Sequence, residues 1–493
     1  MASHAASALL PAIGLEVHAQ LRTATKAFCG CQNVFGGEPN THLCPVCLGL
    51  PGALPVLNRE AVVLAALASI GLGCTIQLRS QFARKHYFYP DLPKGYQITQ
   101  TDMPLAKNGW VCIGTEGSID DTLECSEQRV RINRVHIEED AGKSVYRENG
   151  RFLDFNRAGV PLVEIVTAPD MHSGTEAAQC LAEIRAVLIA VKACDGNMEA
   201  GSLRCDVNVS LRIPGEGEGV RVEVKNINSL RFVKRAVDFE IERQRLEFEA
   251  GRAVICETRG WDEREGCTFS QRVKENSEDY RYIAEPDLPP LVLTSWWVEA
   301  QSSMMPELPS QRRQRYQAMG LSREAITVLS SHEWLGRFFD DLIASGIDIR
   351  MASSFLMTEV LRDSTAGDVP LSESIASWQL VEILRLVQQG AVTARQAKEL
   401  YAAVRNISLS PFDVIAARGM RRTADEHHIK SICERIVLAH PLQVKAYREG
   451  KSGLLGFFMG RVMKETDGSA DPRIADKLLR GLLTASDSDV QRG

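Results

Sequence analysis

The stretch Ala12-Ile13-Gly14-Leu15-Glu16-Val17-His18-Ala19-Gln20-Leu21 alternates between apolar residues and small or polar ones. This period of two predicts a strand with one buried face and one polar face. The polar face presents Glu16 and His18, about 7 Å apart along the strand. A carboxylate and an imidazole in these positions can share a divalent cation, although a solvated strand face carries the same residue types.

Two closely spaced cysteine pairs follow this strand, Cys29 with Cys31 and Cys44 with Cys47. Four thiolates presented by two tight turns match the tetrahedral coordination of zinc. The loop between the pairs is rich in turn-forming residues and could not hold itself by apolar packing. Four cysteine ligands leave no open coordination position, so the spacing predicts a structural zinc ion and not a catalytic one. Free buried thiols are the alternative.

The segment Arg84-Lys85-His86-Tyr87-Phe88-Tyr89-Pro90-Asp91-Leu92-Pro93-Lys94-Gly95-Tyr96-Gln97-Ile98 mixes aromatic, cationic and turn-forming residues. A core strand is disfavoured here because proline removes ladder donors. The mixture is typical of an ordered loop lining a polar site, where Lys94 would meet a charged ligand. An aromatic loop packed under a sheet is the alternative.

Two further strand-like stretches carry acids. One ends in Glu138-Glu139-Asp140, and adjacent carboxylates repel each other unless cations neutralise them. Alternation places Glu138 and Asp140 on one face and Glu139 on the other, and spacing alone does not select the ligand. The other stretch holds Glu164 among apolar neighbours, so this acid needs a metal or a cationic partner such as Arg157.

Basic residues accompany these acids on the predicted strands. Lys225 on an acid-rich sheet face is a natural phosphate contact, with a cross-strand ion pair as the alternative. Arg204 occupies a similar alternating strand, and Lys143 follows the three acids. The chain has no Walker loop and no dinucleotide fingerprint. A nucleotide bound here would therefore be held on a sheet by metals and side chains.

Strand periodicity extends to residue 290 and disappears from Trp296 onward, where helical patterns take over. The sequence predicts an α+β protein with a large, mostly antiparallel sheet followed by all-helical C-terminal domains. The pair Pro289-Pro290 is typical of a domain boundary. We divide the chain into residues 1–294, 295–405 and 406–493.

The composition is that of an ordinary globular protein, with a net charge of -6 and a pI near 6.0. These values give no global nucleic-acid signature. The region from Asn406 onward is mildly basic, with fourteen Lys/Arg against eleven Asp/Glu, which is compatible with nucleic-acid contact. No signal peptide or membrane span is expected. Thirteen cysteines without a secretory context favour thiols in the cytoplasm.

Six segments, in order along the chain, resemble the B subunit of the aspartyl/glutamyl-tRNA amidotransferase. They are Ile13-Gly14-Leu15-Glu16-Val17-His18, the loop from Tyr87 to Gln97, His136-Ile137-Glu138-Glu139-Asp140-Ala141-Gly142-Lys143-Ser144, Gly201-Ser202-Leu203-Arg204-Cys205-Asp206, Lys225-Asn226-Ile227-Asn228-Ser229 and Asp279-Tyr280-Arg281-Tyr282. The resemblance implies a cradle domain similar to glutamine synthetase, then a helical domain, then a tail domain that binds tRNA.

The resemblance also implies an activity and partners. Such a subunit is a ligase that uses ATP and magnesium to phosphorylate the side-chain carboxylate of Glu on tRNA(Gln) or of Asp on tRNA(Asn). Ammonia freed from glutamine by an amidase A subunit then displaces the phosphate, and a small C subunit completes the heterotrimer. Two alternatives are a non-catalytic tRNA-binding zinc scaffold and a stand-alone amide ligase.

Carried onto this sequence, the family's magnesium site and catalytic positions match Glu16, His18, Glu139 and Glu164. The choice of Glu139 over Glu138 comes from the resemblance alone. Five basic residues are candidates to contact ATP or the acyl phosphate because of their charge and loop position. They are Lys94, Lys143, Arg157, Arg204 and Lys225. The four cysteines are similar to a zinc knuckle found in some family members.

Overall fold

A computed structural model describes residues 9–114, 127–147, 150–213, 215, 217, 219–273, 280–364, 375–407, 409–418, 426–466 and 470–484. Asp279, in the last of the six motifs, lies outside these residues. The chain divides into two compact units, Met1–Gln311 and Arg312–Gly493. The division into three domains stays a prediction.

The strands all lie in the first unit, within the described residues. They are β1 Leu10–Gln20, β2 Thr75–Ile76, β3 Arg79–Ser80, β4 Ala83–His86, β5 Tyr96–Thr99, β6 Ala106–Gly114, β7 Glu127–Glu139, β8 Lys143–Arg147, β9 Gly150–Asp154, β10 Pro161–Thr167, β11 Leu203–Arg212, β12 Val222–Ile227, β13 Glu257–Asp262, β14 Cys267–Val273, β15 Ile283–Ala284 and β16 Leu291–Val292. The strand expected around Glu16 is therefore confirmed as β1.

Nine strands form one sheet in the order β14-β13-β12-β11-β1-β10-β7-β6-β2. The first strand in the sequence, β1, lies at the centre of this sheet and is antiparallel to both β10 and β11. Every described pair in this sheet is antiparallel except β12 with β13. The prediction of a mostly antiparallel sheet is confirmed, and the likeness to glutamine synthetase stays a prediction.

Three smaller sheets flank the large one. In the first, β4 pairs with β15 and with β5. The aromatic loop predicted from the sequence connects β4 to β5. The side-chain amide of Gln97 donates to the Glu139 carbonyl at 2.7 Å, which fixes the loop against the end of β7. The other two sheets are the pairs β3 with β16 and β8 with β9.

Helices cover the apolar face of the large sheet. The first unit contains α1 Arg59–Gly71, α2 Gly174–Ala190, α3 Leu230–Glu249 and α4 Ser295–Ser303. Asn58 caps α1 by accepting hydrogen bonds from two backbone amides of its first turn. Ile13, Leu15 and Val17 of β1 are fully buried in the core beneath these helices. The opposite, polar face of the sheet is left for a site.

The region from residue 309 onward is helical in the described residues, as predicted. Its helices are α5 Pro309–Ala318, α6 Arg323–Ser331, α7 Glu333–Ala344, α8 Ile349–Phe355, α9 Leu361–Ser364, α10 Ser377–Gln388, α11 Ala394–Val404, α12 Pro411–Arg418, α13 Glu426–Ala439, α14 Pro441–Arg448, α15 Leu454–Glu465 and α16 Pro472–Thr484, with a π-helical turn at Leu356–Val360. One apolar core includes Tyr316 and Ile415, and another includes Ile429 and Leu483. No helix in the described part of the chain has the length and apolar character needed to cross a membrane.

Candidate functional site

A cavity of about 1200 Å³ lies over the polar face of the large sheet. Side chains from β1, β7, β10, β11 and β12 form its floor, and the aromatic loop between β4 and β5 contributes to its wall. The alternation seen in the sequence explains this arrangement, because each of these strands buries one face in the core and turns its polar residues toward the cavity.

Two carboxylates and two imidazoles meet on this floor. The Nε2 atom of His18 lies 3.5 Å from a Glu164 carboxylate oxygen and 3.6 Å from one of Glu138. The Nε2 atom of His136 lies 3.1 Å from Glu164 and 3.8 Å from Glu138. Strand register produces the cluster, since Glu164 on β10 stands opposite His18 on β1 and His136 on β7.

Charge balance in this cluster suits a metal ion. Burial opposes the charged form of His18, yet the Glu164 and Glu138 carboxylates raise its pKa to about 9. The pKa of His136 is also raised to about 9, with burial opposing and the Glu164 carboxylate favouring its charge. Burial would raise the pKa of Glu164, but the two imidazoles hold it well below its usual value. A divalent cation would take the place of these imidazole protons.

The ligand atoms fit such an ion in number and spacing. One nitrogen of His18 and one oxygen each of Glu138 and Glu164 lie within 4.8 Å of one another. Glu16 shares their face of the sheet and lines the same cavity, where its carboxylate accepts a hydrogen bond of 2.9 Å from the Asn208 side chain. Glu16 is therefore beside the three-residue cluster and not within it.

Glu139 lies on the opposite side of β7, as alternation requires. Its carboxylate forms an ion pair with Lys94 and accepts a hydrogen bond of 2.9 Å from the Ile98 amide. The structure therefore places Glu138, and not Glu139, beside His18 and Glu164. The ligand set carried over from the family resemblance is brought together only in part. Because Lys94 pairs with Glu139, it is also directed away from the large cavity.

Three of the remaining cation candidates line the cavity. Arg204 and Arg157 converge on Asp140, at 2.8 and 3.5 Å, and Lys225 lies 2.8 Å from Asp206. Burial alone would raise the pKa of Asp140, but the two arginines lower it. Lys143 is exposed on β8 and is not among the residues that line the cavity.

The aromatic loop predicted to line a polar site supplies Lys85 and Tyr87 to the cavity wall. Lys85, Tyr87, Tyr280 and Tyr282 all line the cavity. The Lys85 ammonium lies 4.8 Å from the ring centre of Tyr280. It has no hydrogen-bond acceptor among the described residues. Burial opposes the charge of Lys85, but the carboxylates of the cluster raise its pKa. The mixture of aromatic and cationic residues between Arg84 and Ile98 was the sequence signal for this wall, but no local pattern linked it to Tyr280 and Tyr282.

The four cysteines also come together, as predicted. Their sulfur atoms lie within 4.8 Å of one another. The Sγ atoms of Cys44 and Cys47 are 3.9 Å apart, close to the edge of about 3.8 Å in a tetrahedron with 2.3 Å metal–sulfur bonds. A hydrogen bond with Cys29 lowers the pKa of Cys47 to about 5, and the nearby Lys26 charge acts in the same direction. These thiols can hold a metal ion.

Lys26 links the cysteines to the edge of the large cavity. Its fully buried ammonium donates hydrogen bonds of 2.8 Å to the carbonyls of His42, in the cysteine loop, and Ala158, which follows Arg157. Gly159 adopts a φ of +82°, and a Cβ atom there would lie 3.3 Å from Cys47 Cβ. The cysteine loop and the segment leading into β10 are thus packed together.

Lys26→Met should lower the free energy of unfolding by about 2 kcal/mol, because the buried Ala158 carbonyl and the partly buried His42 carbonyl lose their donor. Thermal and urea denaturation of the full chain would measure the loss. Lys192→Met, at an exposed lysine, is the matched control. Equal stability of the two variants would contradict this role of Lys26.

Comparison with known proteins places the chain in a family. A model described as the GatB/GatE catalytic domain matches residues 11–299. The chain belongs to the GatB/GatE family. A second model, described as the GatB domain, matches residues 337–483. The resemblance drawn from the six motifs is confirmed, and the GatB/GatE catalytic domain encloses both the carboxylate cluster and the cysteines.

Full-length relatives agree with the GatB/GatE assignment. The chain is 42% identical to the B subunit of an aspartyl/glutamyl-tRNA(Asn/Gln) amidotransferase from Thermodesulfovibrio yellowstonii, over 96% of this chain and 98% of the relative. The identity to the B subunit of the same enzyme from Anaeromyxobacter dehalogenans is 44%, with the same coverage. The B subunit of a chloroplastic/mitochondrial glutamyl-tRNA(Gln) amidotransferase from Sorghum bicolor is 42% identical, over 96% of this chain and 87% of the relative.

Proposed function

We propose that this chain is the kinase and transamidase subunit of a glutamine-dependent tRNA amidotransferase. Its substrates would be Glu attached to tRNA(Gln), Asp attached to tRNA(Asn), or both. The observation that carries the proposal is the His18, Glu138 and Glu164 cluster on the floor of a large cavity bordered by arginines and lysines. Similarity to amidotransferase B subunits over 96% of the chain supports it.

The reaction has two balanced parts. The substrate carboxylate attacks the γ-phosphorus of ATP, ADP leaves, and the carboxylate oxygen becomes part of an acyl phosphate. Ammonia then attacks the acyl carbon, inorganic phosphate leaves with that oxygen, and a proton is released as the amide forms. The first part depends on in-line positioning and on cations that balance the charge of the transferring group.

The chain's own residues would perform this positioning. Glu138 and Glu164 would hold magnesium, with His18 beside them, and the ion would neutralise phosphate charge. Arg204 and Lys225 stand on β11 and β12, to one side of the cluster, where they can meet phosphate oxygens. Asp140 orients Arg204 and Arg157 toward the cavity. Zinc in the four cysteines would be structural, because no coordination position is open.

Other subunits would supply ammonia and complete the complex. No serine–lysine amidase arrangement was found in the sequence, so we assign glutamine hydrolysis to an amidase A subunit and bridging to a small C subunit. We assign tRNA binding to residues 406–493, where basic residues exceed acidic ones by fourteen to eleven. The acids and imidazoles buried at the cavity floor disfavour a purely scaffolding role, since burying such groups is costly without chemistry to perform.

Reconstitution with the two partner subunits tests the proposal. The complex should form Gln-tRNA(Gln) from Glu-tRNA(Gln) only when ATP is present, and ammonium chloride should replace glutamine. The chain alone should release no ammonia from glutamine. Amide formation without ATP, or glutaminase activity of the isolated chain, would contradict the proposal.

A further inference from the structure

Four tyrosines form a continuous row along one wall of the cavity. In spatial order they are Tyr89, Tyr87, Tyr280 and Tyr282, with successive ring centres 6.0, 6.1 and 6.2 Å apart and each pair edge to face. We call this row the tyrosine ridge. All four residues line the cavity, although the two halves of the ridge come from distant parts of the sequence.

Backbone and ion-pair contacts hold the ridge in place. The His86 amide donates to the Tyr280 carbonyl at 2.9 Å, and β15 pairs with β4 just beyond Tyr282. Arg84 forms two hydrogen bonds with the buried Glu285 carboxylate, at 2.8 and 2.9 Å. The ridge is therefore a fixed surface and needs no ordering when a ligand arrives.

The ridge nevertheless leaves ring surface open. Tyr89 is 51% exposed and Tyr282 is 43% exposed, and the neighbouring Phe88 is 89% exposed. Aromatic side chains that serve only to pack a loop would be covered. The Lys85 ammonium lies over the middle of the ridge, 4.8 Å from the Tyr280 ring centre and 5.8 Å from that of Tyr87. Open rings beside a cation match the way proteins hold unpaired nucleotides.

The position of the ridge fits the reacting end of the substrate. The Tyr87 hydroxyl donates a hydrogen bond of 3.3 Å to Gln97 on β5. Thr99, two residues further along β5, donates a hydrogen bond of 3.2 Å to Glu138. The ridge thus borders the cluster from the β7 side. The phosphate-binding candidate Lys225 lies on β12, on the other side of β1. A base on the ridge and a triphosphate near β11 and β12 can occupy the cavity together.

We propose that the tyrosine ridge binds the unpaired 3′-terminal adenosine of the aminoacyl-tRNA by stacking. This inference rests on the proposed function, because it supplies the subsite that brings the esterified amino acid to the carboxylate cluster. ATP also contains adenine, so the test must separate the two sources of that base.

The test uses the reconstituted complex and the variants Tyr89→Leu and Tyr280→Leu. KM is measured separately for Glu-tRNA(Gln) and for ATP. The second probe is 3′-deoxy-3′-(glutamylamino)adenosine, a stable mimic of the substrate end, whose inhibition constant is measured against Glu-tRNA(Gln). Both the KM for tRNA and this inhibition constant should rise about tenfold in the leucine variants, while the KM for ATP stays the same.

Conservative and remote variants complete the design. Tyr89→Phe and Tyr280→Phe should rescue most of the loss, since stacking needs the ring and not the hydroxyl. Tyr146→Leu, at a 72% exposed tyrosine on β8 outside the cavity, should leave every constant unchanged. Thermal melting verifies that each variant is folded.

Three outcomes would overturn the inference. A rise in the KM for ATP alone would assign the ridge to the nucleotide triphosphate. If the KM for tRNA and the inhibition constant are unchanged in folded leucine variants, the ridge serves only to pack the loop. Phenylalanine variants as impaired as the leucine ones would assign the effect to the hydroxyls. If the wild-type complex forms no Gln-tRNA(Gln), the proposed function itself fails, which is distinct from all three.

Discussion

Glu138→Gln should lower the rate of ATP-dependent amidation about 10³-fold. A bound metal ion stabilises transition-state charge by several kcal/mol, and loss of one of its ligands forfeits much of that stabilisation. The substitution preserves the size of the side chain but removes the charge that balances the cation. Reconstituted complexes would show the loss in Gln-tRNA(Gln) formation, with subunit assembly and tRNA binding retained. Mn²⁺ titration of the same variant should show at least tenfold weaker binding.

Glu139→Gln is the matched control for metal binding, since it changes the adjacent residue on the other face of β7. Its Mn²⁺ affinity should equal that of the wild type. Its stability should fall, because the buried Lys94 ammonium loses its ionic partner. If Glu139→Gln binds Mn²⁺ more weakly than Glu138→Gln, then Glu139 is the metal ligand, as the family resemblance implies. A normal rate of amidation by Glu138→Gln would show that the carboxylate cluster has no role in the reaction.

Cys47→Ser should abolish stoichiometric zinc binding and destabilise the first unit by on the order of 5 kcal/mol, because folding of the cysteine loop is coupled to metal binding. Cys47 is the one buried member of the four. Elemental analysis would measure zinc per chain, and limited proteolysis would report cleavage between Cys29 and Val56. Cys267→Ser, at a cysteine outside the cluster, should match the wild type. Full zinc content in Cys47→Ser would contradict the assignment.

Features encoded by local pattern could be predicted from the sequence. The strand around Glu16 and His18 and the grouping of the cysteines each depend on residues close together in the chain. Alternation also placed Glu138 and Glu139 on opposite faces of β7, and Glu138 lies on the face of His18 and Glu164. Glu139 as a metal ligand stays a prediction from the resemblance. The face of a sheet that a side chain occupies can be predicted from the local sequence, since successive side chains of a strand point to opposite sides.

Neighbours across strands could not be predicted in the same way. Lys94 was expected at a charged ligand, but Gln97 and Ile98 bind Glu139 at the end of β7, and there Lys94 pairs with the same acid. His136 was overlooked as part of the cluster because only the register of β7 against β10 places it beside Glu164. The contact between Tyr87 and Tyr280 depends on strand β15 returning to β4. Such pairings are set by the whole fold and not by any sequence window.

The central place of β1 has a consequence for synthesis on the ribosome. Its partners β10 and β11 begin only at Pro161 and Leu203, so both edges of this strand lack their partners until the chain has grown that far. Unpaired strand edges invite association with other chains. His18 is made early but meets Glu164 only when β10 emerges, and Tyr282 comes later still. A nascent chain that stops before β15 would therefore lack Tyr282 and would leave one edge of β4 unpaired.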